Sequence, residues 1–159
     1  VNRSPGLNVV LYQPEIPQNT GNIGRTCVAT NSRLWIVRPI GFRIDEHHVR
    51  RSGLDYWQHL DLRDMPNWQA MQDELSVDRT FYFTKSATRR YTDVAYQPGD
   101  FLVFGRETQG LPPEILRENA ERCVSFPMSP RVRSLNLANS VAIAVYEAIR
   151  QWGEIPPVE

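Results

Sequence analysis

Three polar, glycine-containing turns hold most of the side chains here that could do chemistry. Asn19-Thr20-Gly21-Asn22-Ile23-Gly24-Arg25-Thr26 carries amides and an arginine. Gly105-Arg106-Glu107-Thr108-Gln109-Gly110-Leu111-Pro112 carries one carboxylate, directly after an apolar run. Ser134-Leu135-Asn136-Leu137-Ala138-Asn139-Ser140 sets a hydroxyl and two amides at the mouth of an apolar helix. Backbone N–H groups are left unpaired at helix starts, so such turns can hold a ligand. Three of them in one small chain point to a single composite site.

Taken singly, each turn has a plainer reading. The first departs from a nucleotide-binding P-loop, because Asn19 and Arg25 stand where Gly and Lys are required, and no GxGxxG pattern occurs. Capping residues with a surface arginine would explain it. Gly105 allows close backbone approach to a ligand, yet Glu107 alone would pass for a solvated carboxylate. Ser134 has no neighbouring base and no Gly-x-Ser-x-Gly elbow, so it reads as a hydrogen-bonding group, not a nucleophile.

The elements that must position these turns alternate. Short apolar runs predict strands over 7–12, 34–37, 60–62, 81–84, 101–104 and 123–126. Helices are expected over 23–31, from Asp45 through Arg51, over 67–75, from Pro112 or Pro113 to about Ala120, and over 137–152. Continuous apolar strands between helices predict an α/β fold with a buried, mainly parallel sheet flanked by helices. Ligands in such folds gather beyond the carboxyl ends of the strands, where the three turns fall.

At 159 residues the chain is expected to form a single domain with no appended RNA-binding domain. Its 18 basic and 18 acidic residues balance, which argues against indiscriminate polyanion binding. The cations are almost all arginine, including the pairs Arg50 and Arg51, Arg89 and Arg90, and Arg131 with Arg133. Guanidinium forks suit phosphate, although genomic composition explains the bias equally well. Cys27 and Cys123 lie in apolar segments and are expected to be reduced, packed thiols. His47, His48 and His59 lack ligand spacing, so no metal is expected. With no signal peptide and no membrane-spanning run, the expectation is a soluble cytoplasmic protein.

Together the three segments resemble the signature motifs of the SPOUT methyltransferases, in the SpoU branch that methylates ribose 2′-hydroxyls. The matching patterns are Asn-x-Gly-Asn-x-x-Arg, Phe-Gly-x-Glu-x-x-Gly-Leu-Pro and Pro-Met-x(5)-Ser-Leu-Asn-Leu-x-Asn-x-Val, in order and across nearly the whole chain. The opening 11–25 and the segment 50–56 are similar to the subfamily acting on the wobble nucleotide of leucine tRNAs, C or modified U at position 34. The resemblance implies a C-terminal deep trefoil knot, S-adenosylmethionine as cofactor, a homodimer, and the tRNA anticodon stem-loop as partner. It implies Arg25, Glu107, Ser134, Asn136 and Asn19 as catalytic residues. It implies Phe83, Thr84, Gly105, Glu107, Gly110, Phe126, Met128, Ser134, Leu135 and Asn139 as cofactor-binding residues. Arg50, Arg51, Arg89, Arg90, Arg131 and Arg133 are candidates for RNA binding, and Tyr56 or Trp57 for stacking on an unstacked base. A guanidinium keeps its proton, so Arg25 reads as an electrostatic and positioning group, with the proton acceptor left open. A ribosomal RNA methyltransferase and a non-catalytic RNA-binding module remain the alternatives.

Overall fold

The computed structural model describes residues 5–45 and 56–157. Six strands form one sheet: β1 (Asn8–Tyr12), β2 (Arg33–Val37), β3 (Leu62–Met65), β4 (Thr80–Phe83), β5 (Phe101–Phe104) and β6 (Cys123–Val124). Their order is β3-β2-β1-β5-β4-β6, and every pairing is parallel. Among the described residues four helices flank it: α1 (Pro17–Ala29), α2 (Trp68–Gln72), α3 (Pro113–Glu118) and α4 (Leu137–Trp152). The expected parallel α/β sheet is therefore present, with β3 shifted two residues beyond the 60–62 expectation. Of the expected 45–51 helix, all but Asp45 lies outside the described residues.

Period-two alternation sorts the strand side chains between two cores. Val9, Leu11, Leu34, Ile36, Phe81, Phe83, Leu102 and Phe104 face α1 and α4. Val10, Tyr12, Trp35, Val37, Tyr82, Phe101 and Val103 face α2 and α3. Both faces being covered explains why the strands read as unbroken apolar runs. The cysteine expectation also holds: both thiols are free and buried. Burial pushes each thiol above its ordinary range, so neither is poised to react.

The start of α1 departs most from the sequence reading, which opened the helix at residue 23. Pro17 begins it, and Asn19 to Asn22 lie inside the helix, not in a turn. The segment is rich in weak helix formers, with glycines at 21 and 24. Side chains distant in sequence pack against this stretch, and Gly24 makes room for one of them. The Tyr56 hydroxyl donates to the Gly21 carbonyl at 2.9 Å, and a Cβ on Gly24 would lie 3.2 Å from the Trp57 ring. Tyr56 and Trp57 thus brace α1.

The segment after β4 is pinned on two flanks. Tyr91 N–H donates to the Ser125 carbonyl and Ser125 N–H to the Arg89 carbonyl, at 3.0 and 2.9 Å. On the other flank, Gln151 accepts from Tyr96 N–H and donates to the Val94 carbonyl, both at 2.9 Å. Trp152 adds an indole N–H to the Tyr96 carbonyl. The loop joining β4 to β5 is thereby tied both to the end of β6 and to the last turn of α4.

Candidate active site

At the carboxyl ends of β5, β4 and β6 the chain leaves a cavity of about 590 Å³, within the range of small-molecule sites. Its apolar wall is aromatic. Phe83 stacks on Phe104 at 4.5 Å between centroids and meets Phe126 at 5.4 Å, and all three rings line the space. The opposite side is built by the second and third turns.

The second turn is a closed backbone loop. Arg106 N–H donates to the Gly110 carbonyl at 3.2 Å, and Gly110 N–H returns to the Arg106 carbonyl at 3.0 Å. Gly110 has φ +66°, which favours glycine. A Cβ on Gly105 would sit 2.1 Å from the Gly110 carbonyl carbon and 2.2 Å from Leu111 N. The glycine is therefore needed because the returning backbone packs on it, a different reason from the ligand approach expected from sequence.

Glu107 is not a free carboxylate. One oxygen accepts the Glu15 N–H at 3.0 Å, and the other accepts the Ile16 N–H at 2.6 Å and the Asn19 amide at 3.4 Å. The residue before α1, Ile16, has no capping side chain of its own. Glu107 supplies the cap from about 90 residues away, with its charge at the positive end of the helix. The exchange is reciprocal, since Glu15 accepts the Thr108 N–H at 3.1 Å and hydroxyl at 2.8 Å. Those Thr108 bonds hold the Glu15 carboxyl below its ordinary range, with a smaller contribution from the Arg106 charge.

From Glu107 a polar chain runs into the third turn. Asn136 caps α4, its side-chain oxygen accepting the Asn139 N–H at 3.1 Å. Its amide nitrogen must then face Asn19, to whose oxygen it donates at 3.2 Å. Asn19, 6% exposed, is left with its own amide nitrogen toward Glu107. Each amide orientation fixes the next, so Glu107, Asn19 and Asn136 lock the start of α1 and the second and third turns in one arrangement.

Of the sequence candidates, Phe83, Thr84, Gly105, Glu107, Gly110, Phe126, Met128, Ser134 and Leu135 all line the cavity. Asn19 and Asn136 lie behind it, joined to Glu107. Asn139 contributes a backbone N–H to the cap and does not line the space. Arg25 is not brought to it either: the residue is exposed on α1 and has no ion-pair partner among the described residues. Arg133, a candidate for RNA, lines the cavity together with Lys85 and Arg106, which sequence reasoning missed. Position in the second motif was the only available signal for Arg106. Arg89, Arg90 and Arg131 are exposed, the first two next to Ser125, which leads into Phe126. Arg50 and Arg51 lie outside the described residues.

The chain is similar to known proteins over most of its length. The model of the SpoU rRNA Methylase family matches residues 6–146. A relative from Escherichia coli (strain K12), the tRNA (cytidine(34)-2'-O)-methyltransferase, is 46% identical over 148 residues, covering 92% of this chain and 94% of its own. A solved structure described for the 2-OH methylation of C/U34 on tRNA superposes with a TM-score of 0.86 at 42% identity, covering 92% of this chain and 91% of that one. The SpoU methyltransferase AviRb from Streptomyces viridochromogenes, in complex with AdoMet, superposes at 0.79 with 27% identity, over 96% of this chain and 62% of that one. With most of its length matched, and with the three motifs joined in one site, the chain belongs to the SpoU methylase family.

Proposed function

We propose that this protein transfers a methyl group from S-adenosylmethionine to the ribose 2′-hydroxyl of nucleotide 34 in tRNA, with leucine tRNAs as its substrates. The observation that carries this reading is the cavity where the aromatic wall meets the second and third turns. Its size and flat apolar rings suit an adenine, while the surrounding loop backbone offers polar groups for the rest of the cofactor. Phe83, Phe104, Phe126 and Leu135 would hold the base, and Thr84, Gly105, Gly110, Met128 and Ser134 would border the remainder. When bound, the cofactor supplies an activated sulfonium methyl group.

The chain's own work is alignment. Glu107 holds the start of α1 against the second turn, and Asn19 carries that placement to Asn136 and the third turn. With both oxygens engaged, Glu107 acts as a positioning residue and not as the base. Lys85, Arg106 and Arg133 give the cavity rim a positive character that suits an RNA backbone, with Arg89, Arg90 and Arg131 as further candidates to extend it. A tRNA substrate favours a cytoplasmic location, which forms part of the same proposal. Labelled S-adenosylmethionine incubated with total tRNA is expected to yield 2′-O-methylated nucleoside at position 34. No label there would contradict the reading.

We further propose a homodimer in which Arg25 serves the partner's cavity. Support comes from the exposed stripes of two adjoining helices. On α1 the exposed residues are Gln18, Asn22, Arg25 and Ala29, and on α4 they are Asn139, Ile143, Tyr146 and Arg150. Ile143 and Tyr146, three residues apart on α4 and 39% and 48% exposed, offer an apolar pair to a partner helix. Arg25 shares this surface and misses its own cavity. Co-expressing Arg25→Ala with Gly105→Ala chains, each inactive alone, is expected to restore about a quarter of wild-type activity, since half the dimers are mixed and each has one intact site. No recovery would contradict the shared site. The trefoil knot is also proposed. The β4–β5 connection is tied to Ser125 before residues 126–136 and to Gln151 and Trp152 after them, as expected if that stretch threads the loop.

A further inference from the structure

Arg106 lines the cavity, but neither the cap nor the aromatic wall makes use of its side chain. Its backbone is fixed by the paired hydrogen bonds to Gly110. Its guanidinium carbon lies 5.5 Å from the centroid of the Tyr12 ring, in cation–π range. Tyr12 is itself 8% exposed and braced edge-on by Trp68 at 5.8 Å. A cation held this way has already lost the freedom that binding would otherwise take from it.

Yet among the described residues it has no hydrogen-bond or ion-pair partner. Its Nε is buried without a hydrogen-bond partner, and no carboxylate among the described residues pairs with it. Glu15 is close enough to feel the charge, but its Oε1 is engaged by Thr108 and it forms no ion pair with Arg106. A preorganised guanidinium with unused donors beside a cavity fits a planar or tetrahedral oxyanion. Two anions could reach it, the carboxylate of the methyl donor and a phosphate of the acceptor RNA. Strand order favours the phosphate. The aromatic wall stands over β5, β4 and β6, whereas Arg106 leans on Tyr12 at the end of β1, the strand that leads into α1. The donor's base belongs on the first side, and the acceptor is expected on the second.

We propose that Arg106 binds a backbone phosphate flanking the target ribose, and so registers the acceptor nucleotide against the methyl donor. This rests on the RNA methyltransferase reading above. The test uses the full chain with Arg106→Gln and Arg106→Lys, checked for folding by thermal melting. S-adenosylmethionine affinity is measured by calorimetry, and tRNA affinity across a salt series. For Arg106→Gln the account expects cofactor affinity within about twofold of wild type, tRNA binding weaker by about tenfold at low salt, and a salt slope smaller by about one. Arg106→Lys is expected to recover the slope and part of the affinity, because the charge returns without the fork. Unchanged tRNA affinity and slope in Arg106→Gln would overturn the proposal, as would a loss confined to the cofactor. Wild-type turnover, followed in parallel, separates the two claims. An active wild type with an unaffected Arg106→Gln contradicts only the role of Arg106, whereas an inactive wild type contradicts the function.

Discussion

Gly105→Ala is expected to abolish cofactor binding while leaving most of the sheet intact. The added carbon would lie 2.1 Å from the Gly110 carbonyl carbon, 2.2 Å from Leu111 N and 2.6 Å from Gly110 Cα. All three are backbone atoms, so no side chain can rotate away. Relief requires the 106–110 loop to open, which breaks its two backbone hydrogen bonds and moves Glu107 off α1. Overpacking a well-fitted site costs about 1–3 kcal/mol and occasionally more, and rigid backbone neighbours place this case at the upper end. With a factor of ten for each ~1.4 kcal/mol, S-adenosylmethionine affinity should fall by about a hundredfold or more. Calorimetric titration reads this directly. Gly41→Ala is the control, since a Cβ there would meet no atom of the described residues within 4 Å, and should leave affinity and melting temperature unchanged. Normal affinity in Gly105→Ala would mean that the loop is not part of the cofactor site.

Glu107→Ala is expected to damage both stability and turnover, through α1. Three donors lose their acceptor: the N–H groups of Glu15 and Ile16 and the amide of Asn19. Loss of an N-cap costs about 0.5–2 kcal/mol, and loss of a negative charge at the helix start adds about 0.3–1 kcal/mol. For a chain of this size the sum corresponds to a melting temperature lower by roughly 2–10 °C. The catalytic loss should be larger than the stability loss suggests, because Asn19 and Asn136 depend on the same carboxylate for their orientation. Glu107→Gln keeps an acceptor for one backbone N–H but turns an NH₂ toward another donor, so it should fall between wild type and Ala. Equal rates for Glu107→Gln and wild type at saturating cofactor and tRNA would show that the charge at the helix start does nothing for catalysis.

These two residues also mark the limit of what sequence could reveal. α4 was readable to its ends, because Asn136 caps it, Gly153 closes it at φ +80°, and its apolar period is unbroken between them. The parallel sheet was readable because strands covered on both faces show as continuous apolar runs. The start of α1 was not, since its cap comes from Glu107 and its glycines are compensated by Tyr56 and Trp57, all distant in sequence. Residue type marked Asn19 and Asn136 as important, but only the fold shows that they face each other and stand behind the cavity. The strand order β3-β2-β1-β5-β4-β6, which brings Glu15 beside Thr108 and Arg106 over Tyr12, follows from no local pattern. Arg106 therefore looked like one arginine among many.

The central claim is that this composite site delivers a methyl group to one ribose oxygen, at position 34. Its most direct test is a transfer assay on paired leucine tRNAs that differ only by 2′-deoxy substitution, one at position 34 and one at position 32. The account predicts that transfer is lost with the 34-deoxy tRNA and is unchanged with the 32-deoxy tRNA. Methylation that persists on the 34-deoxy substrate would contradict it.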